Sequence, residues 1–214
     1  ETAYSSNPTV TVSANSASNS TSGNLEAGSY TLGISVAGGT IRSGYTLATS
    51  ETGSITVNQK ALTVSGITAA NKTYDGDNTS TIDVSSAAFA GLVASDVVSV
   101  SATGTFSDAN VGTGKTVTLS ETMGGADIGN YSVTAQGSTT ADITAKTLTA
   151  TADTADKTYD GTATATVTLT LSGVVGSDSV SSTNGATFSQ SDVGTGLTAT
   201  VNSITLTGDD AGNY

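Results

Sequence analysis

The sequence predicts an all-β fold made of small tandem β modules, arranged in series as an elongated rod. Thr, Val and Ile alternate with small polar residues in stretches such as 147–152 (TLTATA) and 166–171 (TVTLTL). Alternating β-branched residues suit a pleated sheet with one solvated face. Only 11% of the residues are charged and 36% are hydrophobic, a balance that favours folded structure over disorder.

A recurring set of motifs predicts the tandem organisation. Three segments reappear in the same order, 82 to 85 positions further along the chain. A fixed period of this length is the signature of a repeated folding unit. The repeated segments are Lys72–Gly76 and Lys157–Gly161 (KTYDG), Val111–Gly114 and Val193–Gly196 (VGTG), and Asp127–Tyr131 and Asp210–Tyr214 (ending in GNY).

The repeat divides the chain into three stretches, here called the first, second and third repeats. Residues 1–60 are predicted to be the C-terminal part of a first, divergent module, because they lack the KTYDG segment. Residues 61–145 form a complete module, and residues 146–214 form a third module without its last strand. Because both ends fall inside a repeat, we expect the segment to belong to a longer array.

Within the second repeat, clusters of Gly, Asn and Asp separate six short strands, as in a sandwich or small barrel. The predicted strands are 61–65, 79–84, 97–102, 115–120, 131–135 and 139–144. Residues 87–95 are the best candidate for a short helix. Immunoglobulin-like and β-grasp-like modules both fit, and that helix would favour the latter. The predicted core comprises Tyr74, Ile82, Phe89, Leu92, Val93, Val98, Phe106, Val117, Leu119, Tyr131 and Ile143.

Composition excludes several classes of function. The formal charge of −12, with six Lys and Arg residues, leaves no basic stripe for nucleic acid. The same charge disfavours an anionic membrane surface, and no apolar stretch is long enough to insert. Without His or Cys, the usual general base and both common catalytic triads are missing. We therefore expect no enzyme activity.

The recurring motifs are interpreted as turns and core positions. Asp-Gly favours a tight turn in which Gly takes a positive φ, with the preceding Tyr packed beneath it. Gly-Asn would likewise turn the chain before an inward-facing Tyr. The predicted structural residues are Lys72, Tyr74, Asp75, Gly76, Asn130, Tyr131, Lys157, Tyr159, Asp160, Gly161, Asn213 and Tyr214. The VGTG segments are predicted to be hairpin turns, because a β-rich run follows them where a phosphate loop would need a helix.

A ligand or metal site is the alternative interpretation of the acidic turns. Carboxylates are the hard ligands that calcium prefers, and Asp75, Asp77, Asp209 and Asp210 are the candidates. Neither pair shows the spaced pattern that closes on a bidentate Glu. No other cofactor is expected.

The KTYDG opening, the central VGTG segment and the closing Gly-Asn-Tyr resemble the YDG-type repeat of large bacterial surface adhesins, including filamentous-haemagglutinin-like exoproteins. The resemblance covers residues 61–214 and implies secretion, surface display and repetition into stalks. It implies adhesion or biofilm association only for the whole protein.

These observations predict a structural stalk or spacer that projects a binding domain from the bacterial cell surface. Its partners would be the neighbouring repeats of the same chain. The alternative hypothesis is that the modules themselves bind host or matrix glycans or proteins. The recurring tyrosines are expected in the core, so Tyr4 and Tyr30, unique to the first repeat, are the candidates for an exposed aromatic contact.

Overall fold

The computed structural model describes residues 9–15, 17–37 and 53–214. Within this part the chain is all-β, as predicted, and its strands form several separate sheets. Its only helical elements are two single-turn 3₁₀ helices, Ile128–Asn130 and Ala211–Asn213, in the described part. No helix among the described residues has the length and apolar character needed to cross a bilayer.

The described residues of the first repeat form an antiparallel meander in which β2 lies between β1 and β3. Tyr30 lies opposite Ile55 across the β2–β3 pair, and its buried hydroxyl donates to the Glu26 carbonyl at 2.9 Å. The strands are β1 (Thr9–Ala14), β2 (Gly28–Ala37) and β3 (Gly53–Val57).

The second repeat contains ten strands, several of them only two residues long. They are β4 (Lys60–Ser65), β5 (Thr68–Ala69), β6 (Lys72–Thr73), β7 (Thr79–Ser80), β8 (Ile82–Asp83), β9 (Ala88–Ala90), β10 (Ser99–Phe106), β11 (Gly112–Gly124), β12 (Tyr131–Thr134) and β13 (Ser138–Thr144). A five-stranded sheet has the order β6-β13-β11-β10-β7, a three-stranded sheet has the order β12-β4-β9, and β5 pairs with β8.

Two of these pairings are parallel. β12 runs parallel to β4, with Tyr131 opposite Lys60, and β13 runs parallel to β6, with Ile143 opposite Lys72. An immunoglobulin-like sandwich consists of antiparallel sheets, so these pairs depart from that expectation. Parallel partners need crossover connections, which a pattern of local hairpins does not reveal.

Residues 87–95 do not form the predicted helix. Ala88–Ala90 are the strand β9, in which Phe89 lies opposite Val64 of β4. Gly91 then turns the chain at φ +100°, where an added Cβ would lie 2.4 Å from the Ala61 carbonyl oxygen. This apolar segment therefore pairs with the edge of β4 as a strand. Without the helix, the sequence argument for a β-grasp-like module no longer holds.

The remaining predicted strands are in the right places but differ in length. The predicted strand 79–84 is broken into β7 and β8, whereas β10 and β11 are longer than expected. The first VGTG segment is not a hairpin turn, because β11 already begins at Gly112 and carries a bulge before Lys115. Gly114 occupies that bulge at φ +60°.

The buried apolar side chains of the second repeat lie mainly on the strands β4, β10, β11, β12 and β13. Six of the predicted core residues are buried, namely Tyr74, Phe106, Val117, Leu119, Tyr131 and Ile143. The others are only half-buried, namely Ile82, Phe89, Leu92, Val93 and Val98. Leu62, Val64 and Ile67 are buried but were not predicted.

The third repeat contains β14 (Thr149–Thr154), β15 (Thr164–Ala165), β16 (Val167–Ser172), β17 (Ser181–Phe188) and β18 (Ala199–Thr207). β14 pairs with β16, and β17 lies between β15 and β18. Its buried cluster is small, consisting of Ala165, Val167 and Ala186 with partly buried apolar neighbours.

The chain divides into two compact units. One unit comprises Glu1–Ile67, Val84–Ala102 and Ser120–Gly137; the other comprises Thr68–Asp83, Thr103–Leu119 and Ser138–Tyr214. Each unit therefore combines part of the second repeat with a flanking repeat. This grouping does not test the predicted module boundaries, which stay a prediction.

Candidate functional site

The KTYDG segment of the second repeat is a turn organised around one lysine. The Lys72 ammonium group lies 2.7 Å from Asp75 Oδ1 and 2.9 Å from Asp77 Oδ1. It also donates to the carbonyl oxygens of Asp77 and Thr79. Gly76 closes the turn at φ +84°, a conformation that Gly adopts without steric strain. The positive φ of Gly76 is the one that the sequence prediction of an Asp-Gly turn requires.

The third repeat forms the same turn around Lys157, which has different hydrogen-bond acceptors. Lys157 Nζ lies 2.8 Å from Asp160 Oδ1 and donates to the carbonyl oxygens of Thr162 and Thr164. Gly161 has φ +78°. In both repeats the ammonium group also lies about 6 Å from a phenylalanine ring, 5.9 Å for Lys72 and 6.0 Å for Lys157, within reach of a cation–π contact.

Each lysine lowers the pKa of a carboxyl group in its own turn. The pKa of Asp77 falls to about 2 because of the hydrogen bond from Lys72 and those from Thr79. The pKa of Asp160 also falls to about 2, because of Lys157 and then Thr162. These carboxylates are therefore ionised across the physiological pH range.

The predicted calcium ligands are not brought together as one cluster. Asp75 and Asp77 share the Lys72 ammonium group, while Asp210 Oδ2 accepts the Ser179 N–H at 2.8 Å. The described part of the chain contains no group of three or more acidic, His or Cys side chains that could hold a metal ion. Calcium binding at Asp75, Asp77, Asp209 and Asp210 stays a sequence-based hypothesis, to be tested by calorimetric titration.

A second recurring arrangement joins the tyrosine of Gly-Asn-Tyr to an aspartate. Tyr131 donates its hydroxyl to Asp96 Oδ2 at 2.5 Å and accepts the Val93 N–H at 3.0 Å. In the third repeat, Tyr214 donates to Asp178 Oδ2 at 2.6 Å and accepts the Val175 N–H at 2.8 Å. Burial, followed by the nearby Asp, raises the pKa of both tyrosines.

The asparagine of Gly-Asn-Tyr bonds to the repeat that precedes its own. Asn213 is buried, and its side-chain oxygen accepts the Val111 N–H of the second repeat at 3.0 Å. Asn130 accepts the Ala27 N–H of the first repeat at 2.7 Å in the same way. These residues were predicted to turn the chain, and each is the last residue of a single-turn 3₁₀ helix; the contact with the preceding repeat was not predicted.

Asp127, just before the first 3₁₀ helix, adds a buried carboxylate to this contact. Its side chain is only 2% exposed. It accepts the Thr21 N–H at 2.8 Å, the Thr21 hydroxyl and the Val97 N–H at 2.6 Å. The hydrogen bonds from Thr21 and then Val97 hold its pKa below the usual value. A buried carboxylate needs several donors of this kind.

Tyr74 links the second repeat to the third. Its hydroxyl donates to Asp178 Oδ2 at 2.8 Å, so this carboxylate oxygen accepts from both Tyr74 and Tyr214. The Tyr74 and Tyr214 rings meet edge to face, with centroids 5.5 Å apart. Burial and the hydrogen bond to Asp178 raise the pKa of Tyr74 to about 12.

Tyr159 occupies the same place in its motif as Tyr74, yet it is 61% exposed. The prediction that the recurring tyrosines lie in the core is therefore wrong for this residue. The hypothesis of an exposed Tyr30 is also wrong, because Tyr30 is buried. Tyr4 lies outside the described residues.

Sequence reasoning missed the acceptor aspartates Asp96 and Asp178 and the buried carboxylate of Asp127. A signal was present, because Asp96 and Asp178 recur 82 positions apart, and Asp127 and Asp210 recur 83 positions apart. Because these aspartates recur at the same spacing as the other motifs, they could have been predicted to accept hydrogen bonds within the repeat.

Two successive stretches, residues 58–141 and 144–214, match the YDG domain family. No curated protein and no solved structure matches the chain.

The match corrects the resemblance stated above. It is a match to the YDG domain alone, and nothing in it connects the chain to adhesin repeats or to filamentous-haemagglutinin-like exoproteins. The name YDG is also that of the SRA/YDG domains, which bind methylated DNA. More than half of the chain is matched, so the chain belongs to the YDG domain family.

Proposed function

We propose that this chain is a non-catalytic spacer in an extracellular protein, made of β modules in series, each held to the preceding one by its Asp–Asn–Tyr end. In the third repeat this end comprises Asp178, Asn213 and Tyr214. In the second repeat it comprises Asp96, Asn130 and Tyr131. Spacer function needs modules that contact their neighbours and resist bending between them, as in other repeat proteins.

The proposal rests on one observation: in both the second and the third repeat, the asparagine of Gly-Asn-Tyr bonds to the preceding repeat. Asn213 bonds to Val111 of the repeat before it, and Asn130 bonds to Ala27 of the repeat before it. A side chain repeated for a ligand would face solvent or a cavity in each copy. Both asparagines instead satisfy a backbone N–H of the preceding repeat, a use that favours joining repeats.

The aspartates favour a structural use as well. Asp127 accepts three hydrogen bonds and Asp178 accepts two tyrosine hydroxyls. The hydrogen bonds to Asp127 hold its pKa below the usual value, so it is a poor general base, because a base at work near neutral pH needs a pKa raised toward that pH. The absence of His and Cys from the sequence supports the same proposal.

Small-angle X-ray scattering tests the arrangement in series. A compact globule of 214 residues would have a radius of gyration of about 17 Å. Three small modules in line should give a radius of about 25 Å or more. A value near that of the globule would contradict the spacer. Antibodies against the segment should label intact cells of the source organism; labelling only after permeabilisation would contradict an extracellular location.

Nucleic acid is the partner that the charges most disfavour. Of the six Lys and Arg residues, Lys72, Lys115 and Lys157 are already paired with aspartates. Phosphate affinity depends on cations that are free to replace counterions. A mobility-shift assay with methylated and unmethylated duplex DNA should show no complex. A shifted band specific to the methylated duplex would refute the spacer, and glycan-array binding by the isolated chain would favour the adhesive alternative.

A further inference from the structure

The second and third repeats present the same surface, but only one of the two surfaces is covered. In the second repeat it comprises Lys72, Tyr74, Phe106 and Val111, here called the Tyr74 surface. It is covered by the Asp–Asn–Tyr end of the third repeat through three contacts: Tyr74 to Asp178, Tyr74 to Tyr214, and Val111 to Asn213. Tyr74 is only 5% exposed.

The corresponding residues of the third repeat are Lys157, Tyr159, Phe188 and Val193, here called the Tyr159 surface. Its lysine turn is intact, with Asp160 at 2.8 Å and the Phe188 ring at 6.0 Å. Tyr159 and Val193 are nevertheless 61% and 83% exposed. They line an open groove of about 670 Å³, to which Leu197 also contributes.

We propose that the Tyr159 surface is a docking site for the Asp–Asn–Tyr end of a further YDG repeat. The inference extends the proposed spacer function, and it rests on the occupied Tyr74 surface as its template. The Tyr159 hydroxyl would donate to the aspartate of the incoming repeat, and the Val193 N–H would donate to its asparagine. An exposed aromatic beside an exposed Val is the apolar centre that an interface requires.

The test extends the whole chain after Tyr214 with a copy of residues 132–214. Because Tyr214 corresponds to Tyr131, the copy supplies the closing strands and then a new Asp–Asn–Tyr end. Nitration of each tyrosine by tetranitromethane, mapped by peptide mass, reports exposure, and hydrogen exchange reports the Val193 amide. In the extended chain we expect nitration of Tyr159 and exchange at Val193 to slow at least tenfold.

The matched control carries Asp178→Asn and Asn213→Ala in the appended copy alone, and it should restore most of both rates. Unchanged rates at Tyr159 and Val193 in the extended chain would overturn the inference. If that copy fails to fold, a chain extended by two copies, in which the inner copy has neighbours on both sides, is measured by the same criterion.

Tyr74 serves as the internal reference in every variant. If Tyr74 resists nitration while Tyr159 stays reactive in the extended chains, the docking site is wrong and the spacer proposal is untouched. If Tyr74 is itself nitrated as fast as Tyr159 in the 214-residue chain, the contact between repeats is absent and the proposed function fails.

Discussion

Removing the tyrosine hydroxyl group at two equivalent positions, one in contact with the next repeat and one exposed, distinguishes the free energy of contact between repeats from that of folding the turn. Tyr74 and Tyr159 follow the same Lys-Thr pair, but only Tyr74 donates to an aspartate, at 2.8 Å. A hydrogen bond to a charged group contributes about 1.5–3 kcal/mol. Because Asp178 keeps the hydroxyl of Tyr214, the loss in Tyr74→Phe should lie near or below the lower end of that range, about 1–2 kcal/mol.

The matched substitution Tyr159→Phe should change stability by less than about 0.5 kcal/mol, as expected of an exposed side chain. Urea unfolding followed by circular dichroism measures both variants against the parent chain. Hydrogen exchange at the Val175 amide, which donates to Tyr214, reports the junction itself. That exchange should become about 5- to 30-fold faster in Tyr74→Phe alone. Equal effects in the two variants would refute the reasoning.

Three further predictions concern backbone strain and pH. Gly125→Ala places a Cβ 2.3 Å from a carbonyl oxygen at φ +104°, whereas Gly137→Ala, at φ +77°, meets nothing within 4 Å. Gly125→Ala should therefore destabilise by about 1–3 kcal/mol more in urea unfolding, and equal losses would contradict the contact. The pKa of Tyr74 is raised from 10.0 to about 12, so its contribution to stability is complete below pH 10 and is lost as the pH rises through 12. Tyr74→Phe should flatten the decline of stability in that window, and an unchanged decline would refute the assignment. Finally, Lys157→Met should raise the pKa of Asp160 from about 2 toward 3.8, measured by NMR titration; a pKa that stays near 2 would show that the lysine is not the cause.

The sequence was sufficient for features that depend on local chemistry or on repetition. The KTYDG turn follows from the positive φ that Gly76 tolerates. The strands β4 and β13 follow from alternation of apolar residues, Leu and Val in β4 and Ala and Ile in β13, with polar ones, and their residues are close to those predicted.

Features that depend on distant pairing were not visible in the sequence. β12 pairs in parallel with β4, about seventy residues earlier in the chain, and no local pattern specifies such a partner. Phe89 has the surroundings of a helical segment in sequence, yet it pairs with Val64 because β4 offers a free edge.

The two motif tyrosines show the same limit. Tyr74 and Tyr159 have the same neighbours in sequence, but Tyr74 is covered by the Asp–Asn–Tyr end of the next repeat. The residues that contact Tyr74 lie outside its motif, so a motif cannot predict which of its copies is exposed. For the same reason, the sequence identified the asparagines as turn residues without showing that they contact the preceding repeat.

A double-mutant cycle between Tyr74 and Asp178 tests the central claim, that repeats are joined through this end, most directly. The variants Tyr74→Phe, Asp178→Asn and their combination are compared with the parent chain in urea unfolding. A direct hydrogen bond across the junction predicts a coupling energy of about 1–2 kcal/mol. Additive effects, within about 0.3 kcal/mol, would show that the two side chains do not interact and would contradict the account.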